Sequence, residues 1–245
     1  MADTENPNDK MPNLGTNLSD VGAMVVRSTV GLIPFAGPVL SELITSFIPR
    51  QREDRIVDYL RRLNKKTEHL DQKMFQASAE TVEGADLFED GAFQSVRATS
   101  DDRREYIANV VAFGLSGKEK ERIEAKRILN LLEQIDDQQI IILASNHEKY
   151  LFDEEFRALH QDTISHPMTH FQSDEDEIDQ EAIFDIAYEQ LFKLGLLKRQ
   201  FKLPRAPATP TYDPKTGTLK VSGKTITSMG RLLLKRIGLS VDDQN

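Results

Sequence analysis

The stretch "DQEAIFDIAYEQLFKLGLLKRQF" (residues 179–201) decides the fold of the C-terminal part of the chain. Gly195 ends a helical pattern, and two predicted strands follow, "LLKRQFKL" and "GTLKVSGKTI", joined by the proline-rich loop "PRAPATPTYDPKT". A last helix, "TSMGRLLLKRIG", follows Thr227 as its N-cap. This order predicts a winged-helix-like module with a small β-hairpin. The apolar residues expected to share the inner face of the first helix are Ile183, Ile186, Ala187, Leu191 and Leu194.

The rest of the chain is predicted to be mostly α-helical, with an N-terminal helical bundle that contains a long amphipathic helix. The start of the chain is polar and has no apolar core, so it is interpreted as a disordered leader and not as a signal peptide. The predicted units are the leader 1–18, the N-terminal helical region 19–117 with a hairpin 19–48 and a long helix 49–76, the C-terminal module 118–240 and a tail 241–245.

Local capping signals predict where several helices begin. Ser100 is the expected N-cap of one helix, and Ser116 with Glu119 has the spacing of a capping box for the next. Gly91 is expected to interrupt the helix before them. The apolar segment "DDQQIIILASN" fits a buried helix or a strand, and its periodicity leaves both open.

The segment "STVGLIPFAGPVLSELITSFIPRQREDR" (residues 28–55) is apolar and then strongly charged. A bilayer span needs about 20 apolar residues, whereas only the fourteen positions 28–41 between Arg27 and Glu42 are uncharged. Two readings remain for this broken hairpin. It packs against the long helix, or it is released on activation and inserts into a membrane, with arginines meeting anionic headgroups. Its apolar membrane or partner residues are Leu32, Ile33, Phe35, Val39, Leu40, Leu43, Ile44 and Phe47.

Positive charge is concentrated in the C-terminal module. Residues 190–240 hold seven Lys and four Arg against one acid, Asp213, and so carry a net charge of +10 in a chain whose net charge is −9. This polarity suits an acidic partner, a nucleic acid, a membrane surface, or docking onto the chain's own acidic body. The basic wing surface is predicted to consist of Lys198, Arg199, Lys202, Arg205, Lys215, Lys220 and Lys224.

The helix in the recognition position argues against sequence-specific DNA reading. It carries Glu181, Asp185 and Glu189, and Lys193 only near its end. A helix in the major groove normally brings Arg, Lys, Asn or Gln to the base edges, and carboxylates repel phosphates. A protein-interaction module, or a wing that grips phosphates alone, fits better.

Histidine and carboxylate residues form one sequence cluster with the composition of a metal site. His160, His166 and His170 lie close to the acidic run "SDEDEIDQE". Their spacing matches no established site and Pro167 breaks the helix that would align them, so a polar loop is predicted. The acidic run is interpreted as a solvated linker and helix start, holding Asp174, Glu175, Asp176, Glu177, Asp179 and Glu181.

No Ser-His-Asp signature, dinucleotide fingerprint or Walker loop occurs. The absence of cysteine excludes disulfides and thiolate metal sites and fits a reducing cytoplasm. The prediction is therefore no catalytic residue, no cofactor and no metal ligand.

The motif "LFKLGLLKRQF", followed after a variable loop by "KTITSMGRLLLKRIGL", resembles the C-terminal end of bacterial abortive-infection-alpha-type proteins. Their pattern couples a Leu-Gly-Leu helix stop to a hairpin and to a Thr…Gly-Arg final helix. The stretch "DLFEDGAFQSVRATSDDRREYIANVVAFGLS" is similar to a recurrent bacterial helical module. The resemblance covers about residues 80–240 and carries no catalytic motif. It implies a bacterial origin and a role in phage defence, without a mechanism.

The sequence thus predicts a non-enzymatic bacterial defence or stress protein that acts through protein or membrane contacts. The expected location is the cytoplasm, with membrane association on activation, and the expected partner is another protein or a second copy of the chain. A winged-helix nucleic-acid-binding regulator is the alternative, and a metal-dependent enzyme is the second alternative.

Overall fold

The computed structural model describes residues 53–170, 172–201, 209, 212, 217 and 219–239. This part of the chain is 69% helical, with eleven helices and one small two-stranded antiparallel sheet. None of the described helices is both long enough and apolar enough to cross a lipid bilayer. The predicted hairpin over 19–48, with its eight apolar candidate residues, lies outside the described residues.

The described elements follow one another along the chain as ten helices, the seventh and ninth of which have only four residues, and then the strand–strand–helix ending. They are α1 (Glu53–Thr67), α2 (Gln72–Ala79), α3 (Val82–Arg97), α4 (Asp101–Gly114), α5 (Glu119–Glu133), α6 (Asp137–Ser145), α7 (Glu148–Leu151), α8 (Glu154–Leu159), α9 (Gln161–Ile164), α10 (Glu175–Lys193), β1 (Leu197–Phe201), β2 (Val221–Ile226) and α11 (Ser228–Arg236).

The core forms where α1, α3, α4 and α5 pack on one another. Tyr59 and Leu63 of α1, Phe88 of α3, Val111 of α4 and Leu129 of α5 are all fully buried. Burial of a large apolar side chain contributes about 1.5–3 kcal/mol to the free energy of unfolding. The apolar faces of these four helices therefore contribute several such increments to the stability of the described bundle.

The predicted long helix over 49–76 is wrong, because the chain turns after Thr67. The Thr67 hydroxyl donates to the Leu63 carbonyl at 3.0 Å, and the Leu70 amide closes a turn onto the Thr67 carbonyl. Asp71 then caps α2 by accepting from the Lys73 and Met74 amides. Such side-chain hydrogen bonds compete with a continuous helix. The apolar residues keep their helical spacing across the turn, so their pattern does not predict it.

Ser100 caps α4 as predicted, accepting from the Arg103 amide at 3.1 Å. The predicted capping box of Ser116 and Glu119 is wrong. Gly117 adopts φ +113°, the α5 N-cap is Lys118 with no side-chain bond, and Ser116 donates to Glu121 instead.

Gly91 does not interrupt α3, which is continuous. A Cβ at Gly91 would lie 2.5 Å from Val111 Cγ2 and 2.7 Å from the Tyr59 hydroxyl oxygen. The glycine therefore allows close packing of three helices. The undecided segment "DDQQIIILASN" forms helix α6, and it starts with a capping box between Asp136 and Gln139.

An ion network joins α1 to α4. Asp58 accepts from Arg62 at 2.8 Å and from Arg104 at 2.7 Å, and Glu105 pairs with Arg62 and Lys66. Burial alone would raise the pKa of Asp58, but the bonds from the two guanidinium groups outweigh it and lower that pKa. The network therefore favours the ionised carboxylate and fixes the register of α1 on α4.

The predicted β-hairpin is confirmed, since β1 pairs antiparallel with β2 from Leu197↔Ile226 to Phe201↔Val221. The predicted inner face of α10 is wrong at two positions: Ile183 is 65% exposed and Ile186 is 66% exposed. Phe184 and Tyr188 are buried instead. The two stripes have the same helical period, and the aromatic stripe carries the larger apolar area to bury.

Candidate functional site

The two motifs that carry the family resemblance meet at the junction between α10, β1 and α11. Thr227 caps α11 by accepting from the Gly230 amide at 3.1 Å, and its hydroxyl donates to the Gly195 carbonyl at 2.6 Å. The Thr227 amide donates to the Leu196 carbonyl at 3.0 Å. A Cβ at Gly230 would lie only 2.4 Å from that carbonyl oxygen. These residues therefore hold α11 against the end of α10.

Helix α11 is attached to the acidic body by its arginines. Arg231 pairs with Glu148 at 2.6 Å, and this hydrogen bond lowers the pKa of Glu148 to about 2. Arg236 pairs with Glu124 at 2.6 Å and lies 3.7 Å from the centroid of the Phe113 ring. Arg231 and Arg236 therefore bind carboxylates of the chain itself.

Part of the predicted basic wing surface faces α10 rather than solvent. Arg199 and Lys224 are cross-strand neighbours. The Arg199 guanidinium pairs with Glu189 and lies 4.1 Å from the Phe192 ring centroid. Lys224 Nζ lies 3.3 Å from the Tyr188 ring centroid, and desolvation lowers the pKa of Lys224 to about 8. Cation–π contacts of this kind keep both cations on the helix.

The remaining members of the basic wing surface divide into two groups. Lys198 on β1 and Lys220 just before β2 are exposed to solvent. Lys202, Arg205 and Lys215 lie outside the described residues. The described hairpin thus offers two outward lysines and two inward cations.

A groove of about 670 Å³ lies on another side of α10, where it faces α9 and the start of α6. Ile135, Ile142, Ile183 and Ile186 supply apolar walls. The charged residues that the structure places in its lining are all acidic: Glu133, Asp136 and Asp162. We call this surface the acidic groove. The sequence does not predict the acidic groove, because the apolar pattern places Ile183 and Ile186 on the inner face of the helix.

The structure separates the three histidines that the sequence grouped. The His160 ring packs against the Phe156 ring at a tilt of 58°, with centroids 4.6 Å apart, and His170 Nδ1 lies 3.2 Å from the Ser173 hydroxyl. Only His166 approaches carboxylates. The acidic run starts α10 as predicted, with Asp174 as N-cap accepting from the Glu177 amide.

His166 lies beside Glu181 and Asp185, one turn apart on α10. The nearest donor atoms of the three side chains all lie within 4.8 Å of one another. His166 Nε2 is 3.2 Å from Asp185 Oδ1, and Thr169 donates a hydrogen bond to Glu181. In the sequence, Asp185 argues only against DNA binding, and residue spacing does not predict this set.

The His166 and Phe184 rings make a T-shaped contact, with centroids 4.9 Å apart, and Phe184 also lines the acidic groove. The two candidate surfaces are therefore neighbours on α10.

The abortive-infection resemblance stays a prediction. No family model matches the chain, and neither a curated protein nor a solved structure is significantly similar to it.

Proposed function

We propose that this chain is a non-enzymatic bacterial defence or stress protein of the abortive-infection kind that acts by binding a protein partner. In this proposal the C-terminal part is a winged-helix-like interaction module carried by an N-terminal helical bundle. The observation that carries the proposal is the acidic groove. Two exposed isoleucines on one helix, Ile183 and Ile186, line a concave surface whose charged residues are carboxylates.

The chemistry of the groove specifies the kind of partner. Apolar walls favour burial of apolar side chains, at about 25 cal/mol per Å² of surface removed from water. Carboxylates at Glu133, Asp136 and Asp162 favour cations along the edge of that contact. The best-fitting partner is a basic amphipathic helix, bound with its apolar side in the groove.

The same helix disfavours the nucleic-acid alternative. Glu181, Asp185 and Glu189 would repel phosphates, and Arg199 and Lys224 are already held by α10. Phosphate binding would have to rely on the outward lysines and on loop cations outside the described residues. The order of helix, two strands and helix keeps this alternative open as the second candidate.

Fluorescence anisotropy with a labelled synthetic leucine–lysine helix tests the proposal. We expect the full chain to bind this helix and not a leucine–glutamate helix of equal length. Ile186→Asp should weaken binding about tenfold or more, since a carboxylate placed in the apolar contact costs more than about 1.4 kcal/mol. Ile178→Asp is the matched control, because Ile178 is also exposed on α10 but does not line the groove.

Two results would contradict the proposal that the acidic groove binds the partner. Equal losses from Ile186→Asp and Ile178→Asp would show that the weakening does not depend on the groove. Binding of a duplex DNA that weakens steeply between low and high salt would instead support the regulator, because released counterions give nucleic-acid complexes that dependence.

A membrane contact is the second route of action in this proposal, and it rests on the apolar segment 28–48 that runs into arginines. Dye release from anionic vesicles measures it. We expect the double variant Ile33→Asp/Phe35→Asp to release much less dye than the parent chain, because two carboxylates oppose insertion. No release from either chain, with a trigger supplied, would rule the membrane route out.

A further inference from the structure

The donor atoms of His166, Glu181 and Asp185 lie close together beside Phe184, which lines the acidic groove. They lie within 4.8 Å of one another. Metal–ligand bonds of about 2 Å place the donors around one ion at most about 4 Å apart. Small rotations of exposed side chains close that difference, so the three groups need no change of backbone to share an ion.

Both ring nitrogens of His166 lie beside an oxygen, and a metal ion at Nε2 suits this arrangement. Nδ1 lies 2.5 Å from the Pro167 carbonyl oxygen, and Nε2 lies 3.2 Å from Asp185 Oδ1. A neutral imidazole carries one N–H, so in either tautomer one ring nitrogen would present a lone pair to an oxygen. A proton on each nitrogen or a metal ion at Nε2 removes this conflict.

A metal at Nε2 also reproduces the usual surroundings of a ligating histidine. Such histidines donate their other ring N–H to a carbonyl or a carboxylate, which fixes the ring and its tautomer. Here Nδ1 has the Pro167 carbonyl and the ring makes a T-shaped contact with Phe184. Thr169 donates to Glu181, so a hydrogen bond also orients one of the carboxylates.

Lys224 is the competing cation on the neighbouring strand. It interacts electrostatically with Asp185, but its ammonium lies over the Tyr188 ring. Among the described contacts, Lys224 therefore forms no salt bridge with any of the three donors.

We propose that His166, Glu181 and Asp185 bind a divalent first-row transition metal ion of the Zn²⁺ type. The ion would tie the loop that holds His166 to α10 beside the acidic groove. One imidazole and two carboxylates favour Zn²⁺ over Mg²⁺ and Ca²⁺, which prefer sets of oxygen ligands. The role is structural and goes beyond the proposed partner binding, since it requires neither a partner nor a reaction.

Isothermal titration calorimetry with Zn²⁺ on the full chain, free of any histidine tag and stripped with a chelator, tests the site. We expect one ion per chain and no comparable heat with Mg²⁺. His166→Gln and Asp185→Asn should each weaken binding by at least about tenfold, the loss that even outer-shell changes cause. His170→Gln is the matched control, because His170 is a nearby loop histidine that contacts Ser173 and not the carboxylates.

Thermal unfolding with and without Zn²⁺ supplies a second readout. The parent chain and His170→Gln should unfold at a higher temperature with Zn²⁺, because an ion that binds only the folded state stabilises it, whereas Asp185→Asn should not. Absence of Zn²⁺ binding to the parent chain overturns the proposal. Binding that His170→Gln weakens as much as His166→Gln, or that Asp185→Asn leaves unchanged, also overturns it. Failure of these tests would not bear on the proposed partner binding in the acidic groove, because Ile186→Asp tests that proposal separately.

Discussion

Gly230→Ala is expected to lower the free energy of unfolding by about 2–3 kcal/mol, the upper part of the range for added methyl groups in packed sites. A Cβ there would lie 2.4 Å from the Leu196 carbonyl oxygen and 2.7 Å from Ile226 Cγ1. The first contact is to backbone, which cannot rotate away. Alanine also favours a helix over glycine by about 1 kcal/mol, and the expected loss already includes that gain.

Urea unfolding followed by circular dichroism measures this effect. Gly223→Ala is the control, because a Cβ at Gly223 would meet only the flexible Gln200 side chain, at 3.3 Å. We expect its midpoint to stay at or above that of the parent chain. If Gly230→Ala unfolds at the same urea concentration as the parent, α11 does not pack on the Leu196 carbonyl. The sequence from Thr227 to Arg231 would then need another explanation.

Arg103→Leu is expected to cost about 3 kcal/mol, near the lower end for breaking a largely buried charged network. The Arg103 side chain is 13% exposed and pairs with Asp137 at 2.7 Å. It also donates to the Leu132 carbonyl at 2.9 Å and to the Ile135 carbonyl at 2.8 Å, at the end of α5. Leucine would leave the carboxylate and both carbonyls without this donor.

Arg97→Leu is the matched control for Arg103→Leu. Arg97 pairs with Glu133 at 3.4 Å, but its side chain is 68% exposed, and exposed pairs contribute only about 0–1 kcal/mol. Thermal and urea unfolding of both variants should therefore differ clearly. Equal losses of unfolding free energy in the two variants would show that the buried contacts of Arg103 contribute no more than an exposed ion pair.

Most local signals of the sequence predicted local structure, although the capping box of Ser116 and Glu119 and the helix interruption at Gly91 do not form. Ser100 and Thr227 cap their helices, and the strands around the proline-rich loop pair as expected. Gly195 ends α10 with φ +69°, a backbone conformation that glycine adopts without steric cost. In each case the deciding interaction joins residues that are close in sequence or belong to one hairpin.

Signals that depend on distant residues led to the errors over residues 49–76 and on α10. The apolar period continued through the turn between Thr67 and Asp71, so one helix was predicted where two exist. On α10 the stripe of Ile183 and Ile186 and the stripe of Phe184 and Tyr188 fit the same period. Only packing against α6 and the hairpin selects the aromatic stripe and leaves the isoleucines in the acidic groove.

The sequence by itself determined the mostly helical class, the C-terminal hairpin and final helix, and the segregation of charge, because propensity, capping and net charge act locally. The tertiary structure alone decided which basic residues face solvent and which rest on α10. It also decided that His166 joins Glu181 and Asp185 while His160 and His170 do not. The physical reason is that these contacts depend on how the loop before α10 folds back onto the helix, and residue spacing does not encode that path.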